Sequence, residues 1–334
     1  GHGGRAICSV AFSSDGSCFA SGGMDNRLRI WDTAARTELQ SFDGHTHWVR
    51  SVALSPDGAH VASGSSDRTV CIWQVSSGAR VHTLEHTDRV YSVAYSADGR
   101  RLLSATQRGE VKLWDTADGR FLFDLEKTGN WTSRLAFSPD GKYIACGSKS
   151  GAVYVWEVAS QDSPHTLSGH TNGVQDVAWS PDGLQLASAA GDGTIRLWDG
   201  VVDVCDLYTG TVVATLKGHT EDLRSIVFSP DGTRLATGSK DCAVKVWDVT
   251  TGAPICGHAK HQNWIHATAF SSNGFFVASG SDDKTVRVFD VAAERVVHVL
   301  DPHQGYVMKL MFTVDDEHVV ALDDSDQVTI WDVA

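Results

Sequence analysis

Residues 218–248 read GHTEDLRSIVFSPDGTRLATGSKDCAVKVWD. Three short apolar runs rich in β-branched residues, 223–228, 235–237 and 244–247, are separated by Pro230-Asp231-Gly232 and by Lys240-Asp241. Alternating runs of this length, bounded by turn residues, predict strands rather than helix. Three such strands cannot bury an apolar face alone, so the unit requires neighbours.

The rest of the chain supplies them. An aromatic residue ends a comparable unit at Trp31, Trp73, Trp114, Trp156, Trp198, Trp247, Phe289 and Trp331, with spacings of 42, 41, 42, 42, 49, 42 and 42. A period in this range marks a repeat architecture. The opening Gly-His and closing Trp-Asp resemble the marks of the WD-repeat β-propeller family, and eight copies cover nearly all 334 residues. The resemblance implies an all-β fold: a closed propeller of eight four-stranded WD-repeat blades in a single domain, residues 1–334. Each unit would supply strands a, b and c, ending near residues 32, 74, 115, 157, 199, 248, 290 and 332. The segment after each would supply the outer strand d: 36–42, 80–84, 120–125, 211–216 and 294–300, with weaker candidates at 165–167 and 254–256. Ala334 falls just after the third strand of the eighth unit, so the last blade is expected to be three-stranded, with 327–333 an open edge.

The copies are not uniform. His2 precedes Trp31 by 29 residues where complete units have 28, so either one residue is inserted or His2 is not a repeat mark. The third unit has Arg108 at the turn position where others carry Asp. The fourth has Thr128, Cys146 and Ser150 in place of His, Ser and Asp, and the eighth has Ala321 and Ser325 at the Ser and Asp positions. About seven extra residues lie around 200–206, which reads as a solvated loop rather than a calcium site.

With 28 Lys and Arg against 41 Asp and Glu, the net charge of −13 argues against direct binding of nucleic acid. No apolar run approaches a membrane span, and no leader or transit segment is evident. Seven cysteines without C-x-x-C spacing read as buried, reduced thiols of an intracellular protein, cytoplasmic or nuclear. The chain, which begins at Gly1, is expected to be a monomeric propeller within a longer protein.

Buried polar groups require hydrogen-bond partners. In the family, the His before strand a, the Ser or Thr of strand b, the Asp of the b–c turn and the Trp of strand c bond one another. The matching sets are His45, Ser63, Asp67 and Trp73; His170, Ser188, Asp192 and Trp198; and His219, Thr237, Asp241 and Trp247. His261, Ser279 and Asp283 match as well, with Phe289 unable to donate. His, Ser and Asp together invite a hydrolase reading, but a catalytic triad is one constellation at one pocket, and this set repeats with the scaffold. Cys256, His258, His261 and His266 suggest zinc, but His261 belongs to the repeated set, so no metal and no cofactor is expected. Phosphate-loop, nucleophile-elbow and zinc-protease motifs are absent from the sequence.

The family most often binds partners on the narrow face of the ring. The corresponding positions lie three and five residues after the repeated His and one before the turn Asp. Carried over one at a time, they give aromatic and apolar anchors at Trp48, Tyr91, Trp131, Trp264, Tyr306 and Met308, together with His266. Cations are expected at Arg50, Arg89, Lys149, Arg224 and Lys240, and acids at Asp222, Asp282 and Asp324. Trp, Tyr and Arg dominate binding hot spots. The expected function is a non-enzymatic interaction scaffold or adaptor that binds protein or peptide segments there, in particular an acidic segment with an aromatic or apolar anchor. The alternatives are the sensor propeller of a larger signalling NTPase and, third, an enzyme with its active site at the channel mouth.

Overall fold

Each apolar run becomes a strand, and each Asp-Gly or Ser-x-Asp stretch turns the chain back on itself. The computed structural model describes residues 2–3, 5–125, 132–159, 164–199, 211–301, 303–325 and 327–333; of 132–134, 211 and 256–260 it describes the backbone. The described residues form 31 strands and no helix. They make eight antiparallel sheets in chain order, seven of four strands and a last one of three. This is an all-β, eight-bladed propeller. Blade 1 is Ile7–Phe12, Cys18–Gly23, Leu28–Asp32 and Glu38–Phe42; blade 8 is Val307–Phe312, His318–Asp323 and Val328–Asp332.

Burial follows strand position. Strand b of blade 2, His60–Ser65, is buried along nearly its whole length because it is covered on both faces. The outer strand Arg80–Glu85 is mostly exposed, apart from Leu84, which packs in the core. Val328, Thr329, Ile330 and Trp331 on the open edge of blade 8 are half-buried, whereas Val70, Cys71, Ile72 and Trp73 in blade 2 are buried. The difference is the cover that strand d provides.

The d strands at 80–84 and 165–167 begin where the sequence places them, but three others start one or two residues late. They run Glu38–Phe42, Phe121–Leu125 and Arg295–Leu300, while the strand at 254 extends further, to Lys260. In blades 1 and 7 the reason is the c–d turn. Arg36 and Glu294 sit at φ 56° and 53°, in the left-handed region, at the place occupied by Gly78 and Gly119 in blades 2 and 3. A residue in that conformation ends the turn and cannot begin the strand.

By internal contacts the chain divides into two compact units, Gly1–Ile144 with Trp156–Pro164, and Ala145–Val155 with His165–Ala334. In the first, the strand a of blade 2 packs against those of blades 1 and 3. Gly64 makes room: a Cβ there would lie 2.7 Å from Cγ1 of Val90 in the next blade. Ser51 Oγ also accepts the Val93 N–H at 3.1 Å, tying blade 2 to blade 3. In the second unit, blades 5 to 8 pack in succession through their a strands, and the Ser225 hydroxyl accepts the Thr268 N–H at 3.1 Å.

Candidate functional site

The polar sets that the family resemblance implies are present in blades 2, 5 and 6. In blade 2, Trp73 Nε1–H donates to Ser63 Oγ at 2.8 Å, Ser63 Oγ lies 2.8 Å from His45 Nε2, and His45 Nδ1 lies 2.8 Å from Asp67 Oδ2. The arrangement recurs in blade 5 (His170, Ser188, Asp192, Trp198) and blade 6 (His219, Thr237, Asp241, Trp247). Read as Trp N–H to Ser, Ser O–H to His Nε2 and His Nδ1–H to Asp, each of these donors finds an acceptor. Blade 7 has the His261–Ser279–Asp283 part without an indole donor. Burial opposes ionisation of Asp241, yet the hydrogen bonds from His219 and from backbone N–H groups hold its carboxyl at about 2. Ser63 and Ser188 are fully buried and already accept from an indole, so neither hydroxyl can meet a substrate.

His2 is a repeat mark: its Nε2 lies 2.8 Å from Ser21 Oγ and its Nδ1 lies 2.7 Å from Asp25. In blade 3 the acid is present, displaced by two residues. Glu110, not residue 108, faces His86 Nδ1 at 3.3 Å and holds Lys112 Nζ at 3.1 Å, while Arg108 points into solvent. Burial and the Lys112 charge push His86 down to about 4. In blade 8, Asp323 takes the place of the missing acid, 3.5 Å from His303 Nδ1, and Trp331 Nε1–H donates directly to His303 Nε2 at 3.3 Å because Ala321 has no hydroxyl. Cys71 and Cys146 are buried, and burial pushes the Cys146 thiol up to about 12. The side chains of Cys256 and His258 lie outside the described residues, and His266 binds a carboxylate instead.

The candidate binding positions cluster for a reason visible in the ladders. In blade 2, Val49 pairs with Ser65 and Ser51 with Gly64, so Arg50 is the extra residue of a β-bulge. Tyr91, Arg224, His266 and Met308 occupy the same bulge in blades 3, 6, 7 and 8. A bulge re-aims a side chain out of the in–out alternation, which is why such residues gather at functional edges. The residue two before the bulge bonds the residue before the turn Asp through its carbonyl: Trp48 to Ser66, Arg89 to Gln107, Asp222 to Lys240, Trp264 to Asp282 and Tyr306 to Asp324, each at 2.9–3.0 Å. Three positions per blade are thereby fixed side by side, at the end of the strands that carries the d–a loops and b–c turns.

In the first unit, the Arg50 guanidinium lies 4.7 Å from the Trp48 ring centroid and 4.9 Å from that of Tyr91, and its Nε donates to Ser66 Oγ at 2.8 Å. Arg89 beside this stack is exposed. In the second unit, Lys240 Nζ is bound to Asp222 Oδ2 at 2.7 Å and lies 4.7 Å from the Trp264 centroid. Lys240 is thus matched by an acid, contrary to its reading as an open cation. Lys149 is exposed, and Arg224 is half-buried, its Nε without a hydrogen-bond partner among the described residues. His266 Nε2 lies 2.7 Å from Asp282 Oδ1. Trp264, Tyr306 and Met308 expose 43%, 45% and 39% of their surface. Trp131 lies outside the described residues.

One feature at the opposite end has no counterpart in the sequence reading. A cleft of about 420 Å³ opens between the turns of blades 2 and 3, lined by Pro56, Asp57, Tyr95, Asp98 and Arg100 among others. Tyr95 stands where blades 5 to 8 have Trp or Phe, and its hydroxyl has no hydrogen-bond partner among the described residues. Burial, and then the charge of Asp57, raise its phenol above the ordinary value.

Comparison with known proteins agrees with this architecture. Residues 6–161 match the family model described as IFT122 first beta-propeller, and residues 161–199, 210–248 and 252–290 match the WD domain, G-beta repeat. The "Probable serine/threonine-protein kinase PkwA" of Thermomonospora curvata is 46% identical over 47 residues, and the "Dynein assembly factor with WD repeat domains 1" of Danio rerio 44% identical over 43. These stretches are 14% and 13% of this chain and span only 6% and 10% of those relatives' lengths. The crystal structure of the computationally designed Ika8 protein is similar over 99% of this chain and 97% of its own, with a TM-score of 0.85 and 28% identity. With matched repeats over most of its length, blades in unbroken order and the His–Ser–Trp sets in place, the chain belongs to the WD-repeat β-propeller family.

Proposed function

We propose that the protein is a non-enzymatic, intracellular interaction scaffold that binds segments of partner proteins at the strand ends bearing the b–c turns. The observation that carries this reading is the bulge. It directs a side chain out of the repeat pattern in blade after blade, and the residues found there and beside it are Arg50, Tyr91, His266, Met308, Trp48, Trp264 and Tyr306. In the first unit, Arg89 beside the Trp48–Arg50–Tyr91 stack fits an acidic segment with an aromatic or apolar anchor: electrostatics steers it, and the rings hold it. Lys149 and Arg224 extend the same chemistry in the second unit. The kinase and dynein-assembly relatives are compatible with a propeller that recruits proteins inside a larger machine, but the shared stretch is about one repeat long.

The test is quantitative affinity capture from cells with the wild type, Trp48→Ala, Arg89→Glu and Trp264→Ala, and with Arg100→Glu at the opposite end as control. Loss of the same partners in the first three variants, with Arg100→Glu unaffected, supports the reading. Loss only with Arg100→Glu, in a protein that melts as wild type does, overturns it.

A further inference from the structure

We propose that blades 7 and 8 carry a second, separate site for a cationic side chain of a partner segment, a lysine or arginine flanked by an apolar residue. Blade 2 demonstrates how this end of the fold holds a guanidinium. Trp48, the bulge residue Arg50 and Ser66 place the cation between two rings, 4.7 and 4.9 Å from their centroids. In blade 7 the same three positions are Trp264, His266 and Asp282. His266 is too short to repeat the stack and instead turns its Nε2 to Asp282, 2.7 Å away. Trp48 and Tyr91 are half-buried around their guanidinium, whereas Trp264 and Tyr306 remain 43% and 45% exposed.

Charge at these positions reverses between the two pairs of blades. On blades 2 and 3, Arg50 and Arg89 give two positive charges, and Ser66 and Gln107 give no negative one. On blades 7 and 8, the same positions carry the carboxylates of Asp282 and Asp324 and no Lys or Arg, with His266 set against Asp282 at 2.7 Å. Of the neighbouring ammonium groups, Lys240 is held by Asp222 at 2.7 Å and also lies 4.7 Å from the Trp264 centroid, so this ring already receives a cation beside its exposed surface, and Lys284 is held by the Gln304 carbonyl at 3.0 Å. Exposed ring faces beside carboxylates attract a cation through both its charge and its stacking surface. The Met308 side chain, 39% exposed, adds an adaptable apolar contact for the flanking residue. An acidic segment would be repelled here, and a purely apolar one would bring no counter-charge to Asp324.

The test is selection of a phage-displayed random linear peptide library on the immobilised propeller, with synthetic copies of the enriched peptides then titrated against variants. Enriched peptides are expected to carry Lys or Arg next to an apolar residue, and replacing that cation by Gln should weaken binding about 10-fold. Asp324→Asn keeps the acceptor that receives the Tyr306 N–H at 2.6 Å, and Asp282→Asn keeps the contact with His266, so both should fold. Each should weaken these peptides about 5-fold, as should Trp264→Ala, while Trp48→Ala and Arg89→Glu, which probe blades 2 and 3, leave them unchanged. The inference is overturned if no cationic peptide is enriched, or if those enriched bind the Asn variants and Trp264→Ala as tightly as the wild type. Either failure leaves the blade 2–3 reading standing.

Discussion

Replacing Glu110 by Ala tests whether blade 3 recovers its polar set from an unexpected position. Glu110 is 7% exposed, and its two oxygens face His86 Nδ1 at 3.3 Å and Lys112 Nζ at 3.1 Å. Truncation leaves the buried His86 N–H without its acceptor and Lys112 without its counter-charge. Loss of one buried, charge-assisted partner costs about 1.5–3 kcal/mol. At about 2.1 cal/mol/K of unfolding entropy per residue, 2 kcal/mol in a chain of this length lowers the melting temperature by about 3 °C. Glu110→Gln, which keeps an acceptor but not the charge, should fall in between. Arg108→Ala should change stability by no more than about 0.5 kcal/mol, because that side chain is 88% exposed and its nearest acid contact is 3.8 Å long. Differential scanning calorimetry of the three variants decides. An Arg108→Ala loss equal to that of Glu110→Ala would refute the assignment.

Asp241→Ala should cost about 1–3 kcal/mol by stripping His219 and two backbone N–H groups of their acceptor, and an unchanged denaturation midpoint would count against the network. His86, held at about 4, resists a proton that the unfolded chain accepts near 6.5, so its contribution to stability is lost as pH falls from about 6.5 to about 4. Asp241 and Asp231, both held at about 2, then withdraw theirs from about 4 down to about 2; a melting temperature that rises on acidification from pH 6.5 to 4 would contradict the His86 sign, and one that rises from pH 4 to 2 the Asp sign. Gly151→Ala should be far more damaging than Gly58→Ala, since both have positive φ but only at Gly151 would a Cβ meet a backbone oxygen, His170 O, at 2.6 Å; equal melting shifts would refute this. Glu294→Gly should raise stability by about 0.5–1 kcal/mol by relieving the left-handed turn, and a lowered melting temperature would show that the side chain matters more than the strain.

The blades were legible because their determinants are local. Apolar alternation, Asp-Gly turns and a 42-residue period are all carried by residues near one another in sequence. The acids of blades 3 and 8 were not, because the network fixes the place of a carboxylate and not its sequence position. Glu110, two residues late and one methylene longer, and Asp323, two residues early, both reach the imidazole. The engagement of two cations was not legible for a related reason. Lys240 meets Asp222, and Arg50 enters between Trp48 and Tyr91, only after antiparallel pairing and blade packing bring distant residues together. The bulge could have been suspected from residues that break the apolar alternation at one place in every unit.

The central claim, that partners are bound at the bulge-bearing strand ends, is tested most directly by hydrogen–deuterium exchange of the propeller with and without a captured partner. Slowed exchange is expected at residues 47–50 and 89–91, or at 263–266 and 305–308, with the turns at 56–59, 98–100 and 116–119 unaffected. Protection confined to those turns, where the Tyr95 cleft opens, would place the binding surface at the other end of the strands and contradict the account.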